Sequence, residues 1–329
     1  MAPSARPSLS AVVPVYNSAA TLGALVERLE PVLRDAADDF ELILVDDGSR
    51  DASAEVVRDL ARRHDWVRGV ELMRNFGQHN ALLCGIRLAR CDVIVTLDDD
   101  LQNPPEEVPR LLAELERGHD VVYGTPASEQ HGLLRDLASQ ITKLALKSAM
   151  GAPVARQVSA FRVFRRELVR AFSAYRSPFV SIDVLLTWGT TRFAAVRVRH
   201  EPRAAGHSNY TFRKLVTHAM NMMTGFSTFP LQVSSLIGFA FTLLGFGLLL
   251  YVLLRTLIEG SPVQGFPFLA SMIAMFSGAQ LFALGILGEY LARMHSRTMD
   301  RPPYAVRVDS VPASAPASTH GPDDFPSHV

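Results

Sequence analysis

Three acidic residues and one amide occur together in the segment Asp98-Asp99-Asp100-Leu101-Gln102, directly after an apolar run at 93–97. If the chain stays extended there, alternate side chains point the same way, so that Asp98, Asp100 and Gln102 converge while Asp99 points away. Carboxylate and amide oxygens are ligands for Mg²⁺ or Mn²⁺ that leave room for diphosphate oxygens. The spacing therefore predicts a divalent-metal site that handles a diphosphate, with Asn103 capping the following helix.

A second acidic pair, Asp46 and Asp47, follows another apolar run and leads into Gly48-Ser49. One of these carboxylates could hydrogen-bond a nucleotide, although a turn alone also favours the sequence Asp-Asp-Gly-Ser. The first turn, Pro14-Val15-Tyr16-Asn17, lacks both the glycine fingerprint of dinucleotide-binding proteins and the P-loop sequence. These absences argue against a dehydrogenase and against a P-loop nucleotidase.

The elements that must position these residues form an α/β pattern. Short apolar runs at 9–13, 40–45, 67–71, 93–97 and 121–124 predict strands, and between the first two runs apolar residues recur at helical spacing from Leu22 to Leu33. Alternating strands and helices indicate a mostly parallel sheet, in which ligands bind beyond the carboxyl ends of the strands. The acidic segments lie at those ends.

The composition suggests that part of the chain contacts lipid. Hydrophobic residues make up 48% of the 329 residues, which is high for a soluble enzyme. Lys plus Arg and Asp plus Glu both number 33, so no overall charge favours nucleic acid, and we expect no nucleic-acid partner. The two cysteines, Cys84 and Cys91, are too few for a disulfide framework and are interpreted as small buried residues.

Two long apolar stretches, 231–257 and 266–291, are each long enough to cross a bilayer. They predict a two-helix transmembrane hairpin. Arg213 and Lys214 precede it, Arg293 and Arg297 follow it, and the connecting loop has no Lys or Arg, so both termini are expected in the cytoplasm at the inner membrane. Glycines in both stretches permit close helix contact, within the hairpin or in a homo-oligomer.

The remaining segments complete the predicted domain plan. Residues 1–8 form a flexible N-terminus, too short and polar for a leader, and residues 9–210 form the cytoplasmic catalytic domain. Residues 127–155 predict a helix that is either packed or lies on the inner leaflet. Residues 211–230 predict a juxtamembrane helix, and residues 292–329 a basic segment with a disordered tail.

Three motifs resemble those of the family 2 glycosyltransferases of GT-A fold: Val12 to Asn17, Val45 to Ser49 and Asp98 to Pro105. Arg74-Asn75-Phe76-Gly77-Gln78-His79 and Gly288-Glu289-Tyr290 are similar to the polyprenyl-phosphate branch, which includes bactoprenol glucosyltransferases, undecaprenyl-phosphate aminoarabinose transferases and dolichol-phosphate mannose synthases. The resemblance implies a GT-A nucleotide-sugar-binding domain followed by the hairpin, and an inverting transfer of a sugar, expected to be a UDP-linked hexose, to a polyprenyl phosphate of undecaprenyl type.

The resemblance also implies roles for particular residues. Those expected to bind the nucleotide sugar are Pro14, Tyr16, Asn17, Asp46, Asp47, Gln78, Asp98, Asp99, Arg203 and Ser208. Those expected to hold Mg²⁺ or Mn²⁺ are Asp98, Asp100 and Gln102, and the candidate catalytic residues are Asp98, Asp100, Arg156 and Asp183.

Two positions depart from the family pattern. Asn209 follows Ser208 where the family usually has Lys, which removes one positive charge, and Arg156 stands near the position where many relatives have an Asp. A dianionic phosphate acceptor needs no protein base, so a cation at Arg156 is compatible with that acceptor. The alternatives are a processive polysaccharide synthase, a metal-dependent phosphohydrolase using Asp98 and Asp100, and a non-catalytic membrane scaffold.

Overall fold

The computed structural model describes residues 6–126, 158–201, 229–259 and 266–310. Within them the helices are α1 (Leu22–Ala36), α2 (Ser53–Arg63), α3 (Gln78–Leu88), α4 (Val108–Glu116), α5 (Ile182–Thr187), α6 (Phe229–Glu259) and α7 (Phe266–Thr298). Short 3₁₀ turns span Pro105–Glu107 and Arg166–Phe172. The strands are β1 (Leu9–Val15), β2 (Phe40–Asp46), β3 (Val67–Leu72), β4 (Val93–Thr96), β5 (Val121–Pro126), β6 (Arg162–Arg165), β7 (Phe193–Val198) and β8 (Val306–Ser310).

The described strands form one eight-stranded sheet in the order β7-β5-β6-β4-β1-β2-β3-β8. The β1–β2, β2–β3, β1–β4 and β5–β7 pairs are parallel, whereas β6 and β8 run antiparallel to their neighbours. The prediction of a mostly parallel α/β sheet is confirmed, and all five predicted strands and the first helix are present.

The sheet is covered on both faces, as a parallel sheet must be. Ala11, Val13 and Val15 of β1 contact one apolar core, to which α1, α2 and α4 contribute, while Val12 contacts the other, to which α3 and α5 contribute. Helix α3 packs closely because a Cβ at Gly85 would overlap Val12 and lie 3.1 Å from Val45. This close contact fixes the amino end of α3 beside the carboxyl ends of β1 and β2.

Both apolar stretches near the carboxyl end of the chain are helical. Among the described residues, only the window Met275–Ala292 of α7 is long and apolar enough to cross a membrane, and none of its residues is buried; the apolar part of α6, Leu231–Gly247, is shorter. The two helices pack against each other, since the Phe241 and Phe276 rings lie 6.0 Å apart in an edge-to-face arrangement. One candidate membrane helix is thus established by length and composition.

After α7 the chain returns to the sheet, although no strand was expected there. We call residues 299–310 the return segment. Its strand β8 pairs with β3, and Arg68 of β3 makes two hydrogen bonds to Asp309, of 2.7 and 2.8 Å. The return segment therefore supplies the edge strand of the sheet that carries the acidic motifs.

Candidate active site

The acidic motifs meet in a cleft at the carboxyl ends of β1, β2, β3 and β4, which we call the acidic cleft. Its cavity volume is about 240 Å³, and it is lined by Pro14, Val15, Tyr16, Asp47, Asn75, Gly77, Gln78, Asp98, Asp99 and Asp100. From β1 the chain passes to β2 and β3 on one side, while β4 lies on the other. The cleft is therefore at the switch point of the strand order, where open α/β sheets bind ligands.

The segment after β4 turns sharply instead of staying extended. Strand β4 ends at Thr96, Leu101 has a positive φ of 60°, and its side chain is buried in the core beneath α4. The expected alternation is therefore wrong: Asp98, Asp99 and Asp100 all line the cleft. Gln102 is not a lining residue, and its backbone N–H donates to Asp100 Oδ1 at 3.1 Å. Its role as a metal ligand stays a prediction.

The predicted cap at Asn103 is also wrong. The turn that follows begins after Pro104, and no side chain caps it. Proline at this position has a fixed φ and supplies no N–H, so the chain enters the turn without needing an acceptor from Asn103.

Two of the acidic residues hold loops in place. Asp47 accepts hydrogen bonds from the backbone N–H groups of Phe76 and Gly77, at 2.7 and 2.8 Å, and burial raises its pKa despite these bonds. Asp99 accepts from the N–H of Tyr16 at 3.1 Å, and burial likewise raises its pKa. Both carboxylates join loops that follow different strands, which fixes the width of the cleft.

Asp46 differs from its neighbour because it keeps an oxygen without a protein partner. Its Oδ2 accepts from the N–H of Ser49 at 3.2 Å, while Oδ1 is buried and has no hydrogen-bond partner among the described residues. A buried carboxylate oxygen without a partner is costly, so such an atom indicates a ligand group that arrives later. Gly48 makes the tight turn possible: its φ is +66°, and a Cβ there would lie 2.6 Å from the carbonyl carbon of Arg74.

Helix α3 brings Gln78 to the cleft. Gly77 precedes it with a φ of +101°, and Gln78 Nε2 donates to Asp98 Oδ1 at 2.7 Å. Asn75 and Gly77 also line the cleft, although the sequence assigned them no role beyond membership of the 74–79 motif. The 74–79 motif was the feature of the sequence that could have identified Asn75 and Gly77. The motif does not reveal the turn that places their backbone against the cleft.

The first-turn residues lie at the cleft entrance. Pro14 and Tyr16 are lining residues, and Tyr16 is 41% exposed, which leaves its ring accessible to a ligand. The side chain of Asn17 instead accepts a hydrogen bond from the N–H of Arg50 at 2.8 Å, and its φ of 55° marks a tight turn. Asn17 is thus placed to shape the turn, and its contact with the nucleotide sugar stays a prediction.

Asp183 is not among the lining residues and lies in a buried polar network. It accepts hydrogen bonds from Arg162 and from the Tyr123 hydroxyl, the latter at 3.1 Å. Arg162 also donates through Nε to Thr96 Oγ1 at 3.1 Å, on the strand that leads to Asp98. Arg156, Arg203 and Ser208 lie outside the described residues, as do the predicted helices at 127–155 and most of 211–230.

The cleft offers part of a metal-binding set. In the part of the chain that the structure describes, no three His, Cys, Asp or Glu side chains form a complete metal site. Mg²⁺, however, usually takes one or two protein carboxylates together with water and substrate phosphates. Asp98 and Asp100, which both line the cleft, fit a cation that binds together with a diphosphate.

A family model described as "Glycosyl transferase family 2" matches residues 10–172, which include every lining residue of the cleft. An undecaprenyl-phosphate 4-deoxy-4-formamido-L-arabinose transferase of Pseudomonas aeruginosa is 38% identical to this chain, over 94% of this chain and 93% of the relative. The chain belongs to glycosyl transferase family 2. A transferase of the same name from Pectobacterium atrosepticum is 37% identical to this family 2 member, over 95% of this chain and 96% of its own length.

A solved structure, described as that of a mycobacterial protein, resembles this chain with a TM-score of 0.50 at 20% identity, over 66% of this chain and 73% of its own. That likeness concerns the fold alone. Family membership makes the chain a glycosyltransferase, and the phosphohydrolase alternative is set aside.

Proposed function

We propose that this protein transfers a sugar, with inversion, from a UDP-linked donor to an undecaprenyl-type phosphate at the inner leaflet of the cytoplasmic membrane. The observation that carries the proposal is the 38% identity to undecaprenyl-phosphate transferases over 94% of the chain, which extends through α6 and α7. A relative that matched only the catalytic domain would carry no argument about a lipid acceptor.

The acidic cleft is the proposed donor site. The free Oδ1 of Asp46 and the exposed ring of Tyr16 are suited to the uracil and ribose, one by hydrogen bonding and the other by stacking. Asp98 and Asp100 would hold Mg²⁺ or Mn²⁺, which stabilises the negative charge on the departing diphosphate. Gln78 orients Asp98 for this role through its 2.7 Å hydrogen bond.

The proposed acceptor, a phosphate monoester, needs no general base from the protein. A phosphate monoester has a second pKa of about 6 and is mostly dianionic at neutral pH. Its oxygen therefore attacks the anomeric carbon without a protein base. Consistent with this, Asp183 is engaged by Arg162 and Tyr123. We assign Arg156 and Arg203 to holding phosphate oxygens, because a guanidinium offers paired donors to them.

The return segment supports a two-helix hairpin. The chain leaves the sheet after β7, passes through α6 and α7, and rejoins the same sheet at β8. Because β7 and β8 belong to one sheet on one side of the membrane, the chain between them must cross an even number of times. If Met275–Ala292 spans the bilayer, a second crossing is required, and α6, with 31 residues, is the proposed partner.

The sequence analysis predicted that the transferred sugar is a hexose. The relatives' names instead specify 4-deoxy-4-formamido-L-arabinose, a modified pentose. We propose that the donor belongs to this class, because the identity to these relatives covers the whole catalytic domain.

The test is a product assay on the purified full-length protein in lipid vesicles. Undecaprenyl phosphate is offered with UDP-4-deoxy-4-formamido-L-arabinose and, separately, with several UDP-hexoses, and the lipid product is read by mass spectrometry. We expect one sugar residue per lipid phosphate, with the anomeric configuration opposite to that of the donor. Absence of any lipid product across the panel would refute the acceptor, and addition of several sugars to one lipid would favour a processive synthase.

A further inference from the structure

Two aromatic rings, those of Tyr175 and Trp188, are in contact at the surface of the catalytic domain, and Phe179 lies four residues after Tyr175; none of the three lines the acidic cleft. The Tyr175 and Trp188 rings are 5.5 Å apart in an edge-to-face arrangement, and the Tyr175 hydroxyl donates to the carbonyl oxygen of Phe179. Trp188 is 52% exposed and Phe179 is 36% exposed. We call Tyr175, Phe179 and Trp188 the aromatic patch.

Side chains of helix α3 connect the aromatic patch to the return segment. Asn80 Nδ2 donates to two carbonyl oxygens, that of Pro178 at 3.1 Å and that of Pro303 at 2.5 Å. Arg87, two turns further along α3, donates to the carbonyl oxygen of Tyr175 at 2.5 Å and lies over the Tyr304 ring. The loop that carries Tyr175 and Phe179 and the segment that follows α7 are therefore held side by side.

The end of α7 is itself in contact with this loop. Arg176, which lies between Tyr175 and Phe179 in the sequence, is 3.5 Å from Asp300, the second residue after α7. The candidate membrane window ends at Ala292, and the helix continues to Thr298, about 9 Å further at 1.5 Å per residue. The loop that carries Tyr175 and Phe179 is thus within a short distance of the point where α7 leaves the apolar layer, and Trp188 is attached to it through its ring contact with Tyr175.

We propose that the aromatic patch is a membrane-contacting surface that seats the catalytic domain on the leaflet from which α7 emerges. Trp and Tyr are the side chains that favour the headgroup region, because their rings are apolar and their N–H or O–H groups remain hydrated. Arg176, in the loop between Tyr175 and Phe179, is exposed, and so is its partner Asp300.

The chain provides a direct test because it contains only two tryptophans, Trp66 and Trp188. Trp66 is buried at the start of β3, against Phe40, and serves as the internal control. A Trp66→Phe variant leaves Trp188 as the only tryptophan, and a Trp188→Phe variant leaves Trp66. Each full-length protein is reconstituted into phosphatidylcholine–phosphatidylglycerol vesicles, with either ordinary or bromine-labelled acyl chains.

We expect bromine-labelled lipid to quench Trp188 at least about twofold and to leave Trp66 unchanged. Trp188 emission that bromine-labelled lipid does not quench would overturn the proposal. If neither bromine-labelled lipid nor aqueous iodide quenched Trp188 in the vesicles, the patch would be covered by protein, such as a second copy of the chain, and the proposal would again be wrong. The readout does not depend on sugar transfer, so it is independent of the proposed function.

Discussion

The five aspartates around the acidic cleft differ in what their oxygens contact. Asp47 and Asp99 accept backbone hydrogen bonds and hold loops together, whereas Asp98 and Asp100 line the cleft without joining two of its loops through the backbone. Asp46 combines both situations, with one oxygen bonded to Ser49 and the other buried without a protein partner. Residues of one type in one cleft thus have different expected responses to substitution.

Replacing Asp100 with Ala should reduce kcat roughly 10²-fold or more, because the departing diphosphate would lose the cation held there. The measurement is the lipid-product assay with a saturating donor. Asp38→Ala is the matched control, since Asp38 is exposed at the opposite, amino end of β2 and should leave kcat unchanged. An excess of chelator should abolish turnover in the unsubstituted protein, and full activity under chelation would contradict the metal assignment.

Asp183→Ala should lower the free energy of unfolding by about 3–5 kcal/mol, because it leaves the buried guanidinium of Arg162 without its counter-charge. Thermal unfolding in detergent measures the effect. Replacing both partners, as in Arg162→Met with Asp183→Leu, should recover much of the loss, since no buried charge then remains unpaired.

Kinetics of a second substitution at Asp183 distinguish a structural role of this residue from a catalytic one. Asp183→Asn should keep most of kcat/KM in the folded fraction, whereas Arg156→Ala should raise the KM for polyprenyl phosphate and leave the KM for the donor unchanged. Near-total loss of kcat/KM in Asp183→Asn, at an unchanged unfolding temperature, would instead mean that a carboxylate base is required.

At the scale of the elements, helix α3 connects the functional parts of the domain. Its first residue, Gln78, bonds Asp98, its Asn80 bonds the loop before α5 and the return segment, and its Gly85 lies against β1. A displacement of α3 would therefore reach the cleft and the aromatic patch together. Close packing at Gly85 is what prevents such a displacement.

Gly85→Ala should destabilise the catalytic domain by about 1–3 kcal/mol, because the added methyl overlaps Val12 in a filled core. Gly23→Ala is the matched control in α1, where a Cβ meets nothing within 4 Å. That variant should be neutral or stabilising by up to about 1 kcal/mol, since Ala favours helix more than Gly does. Equal unfolding temperatures for the two variants would contradict the packing argument.

The elements that the sequence predicted are those with strong local periodicity. Strands β1 to β5 are short apolar runs, and α1 has an apolar face from Leu22 to Leu33, so each pattern is complete within its own segment. Strand β8 is different, because Val306 and Val308 are exposed and its partner β3 lies more than two hundred residues earlier. The cleft was likewise predicted in its residue types, but the turn at Leu101 depends on a tertiary contact that spacing does not reveal.

At the scale of the whole molecule, the proposed two-helix hairpin predicts which residues a reagent outside the cell can reach. The native cysteines, Cys84 and Cys91, are both buried, so a single introduced cysteine can be labelled against a low background. In intact cells a membrane-impermeant maleimide should label Ser261→Cys, which lies in the sequence between α6 and α7, but not Ser310→Cys at the end of β8. Labelling of Ser310→Cys before lysis would refute the proposed topology.

The position of β8 also sets an order for biogenesis. The edge of β3 cannot be paired until the ribosome has made α6 and α7, so the catalytic sheet is completed only after both helices have left the exit tunnel. A chain that inserted a single helix would place β8 across the bilayer from β3 and leave that edge open, and open edges promote aggregation. In the proposed topology, completion of the sheet therefore depends on the insertion of both helices.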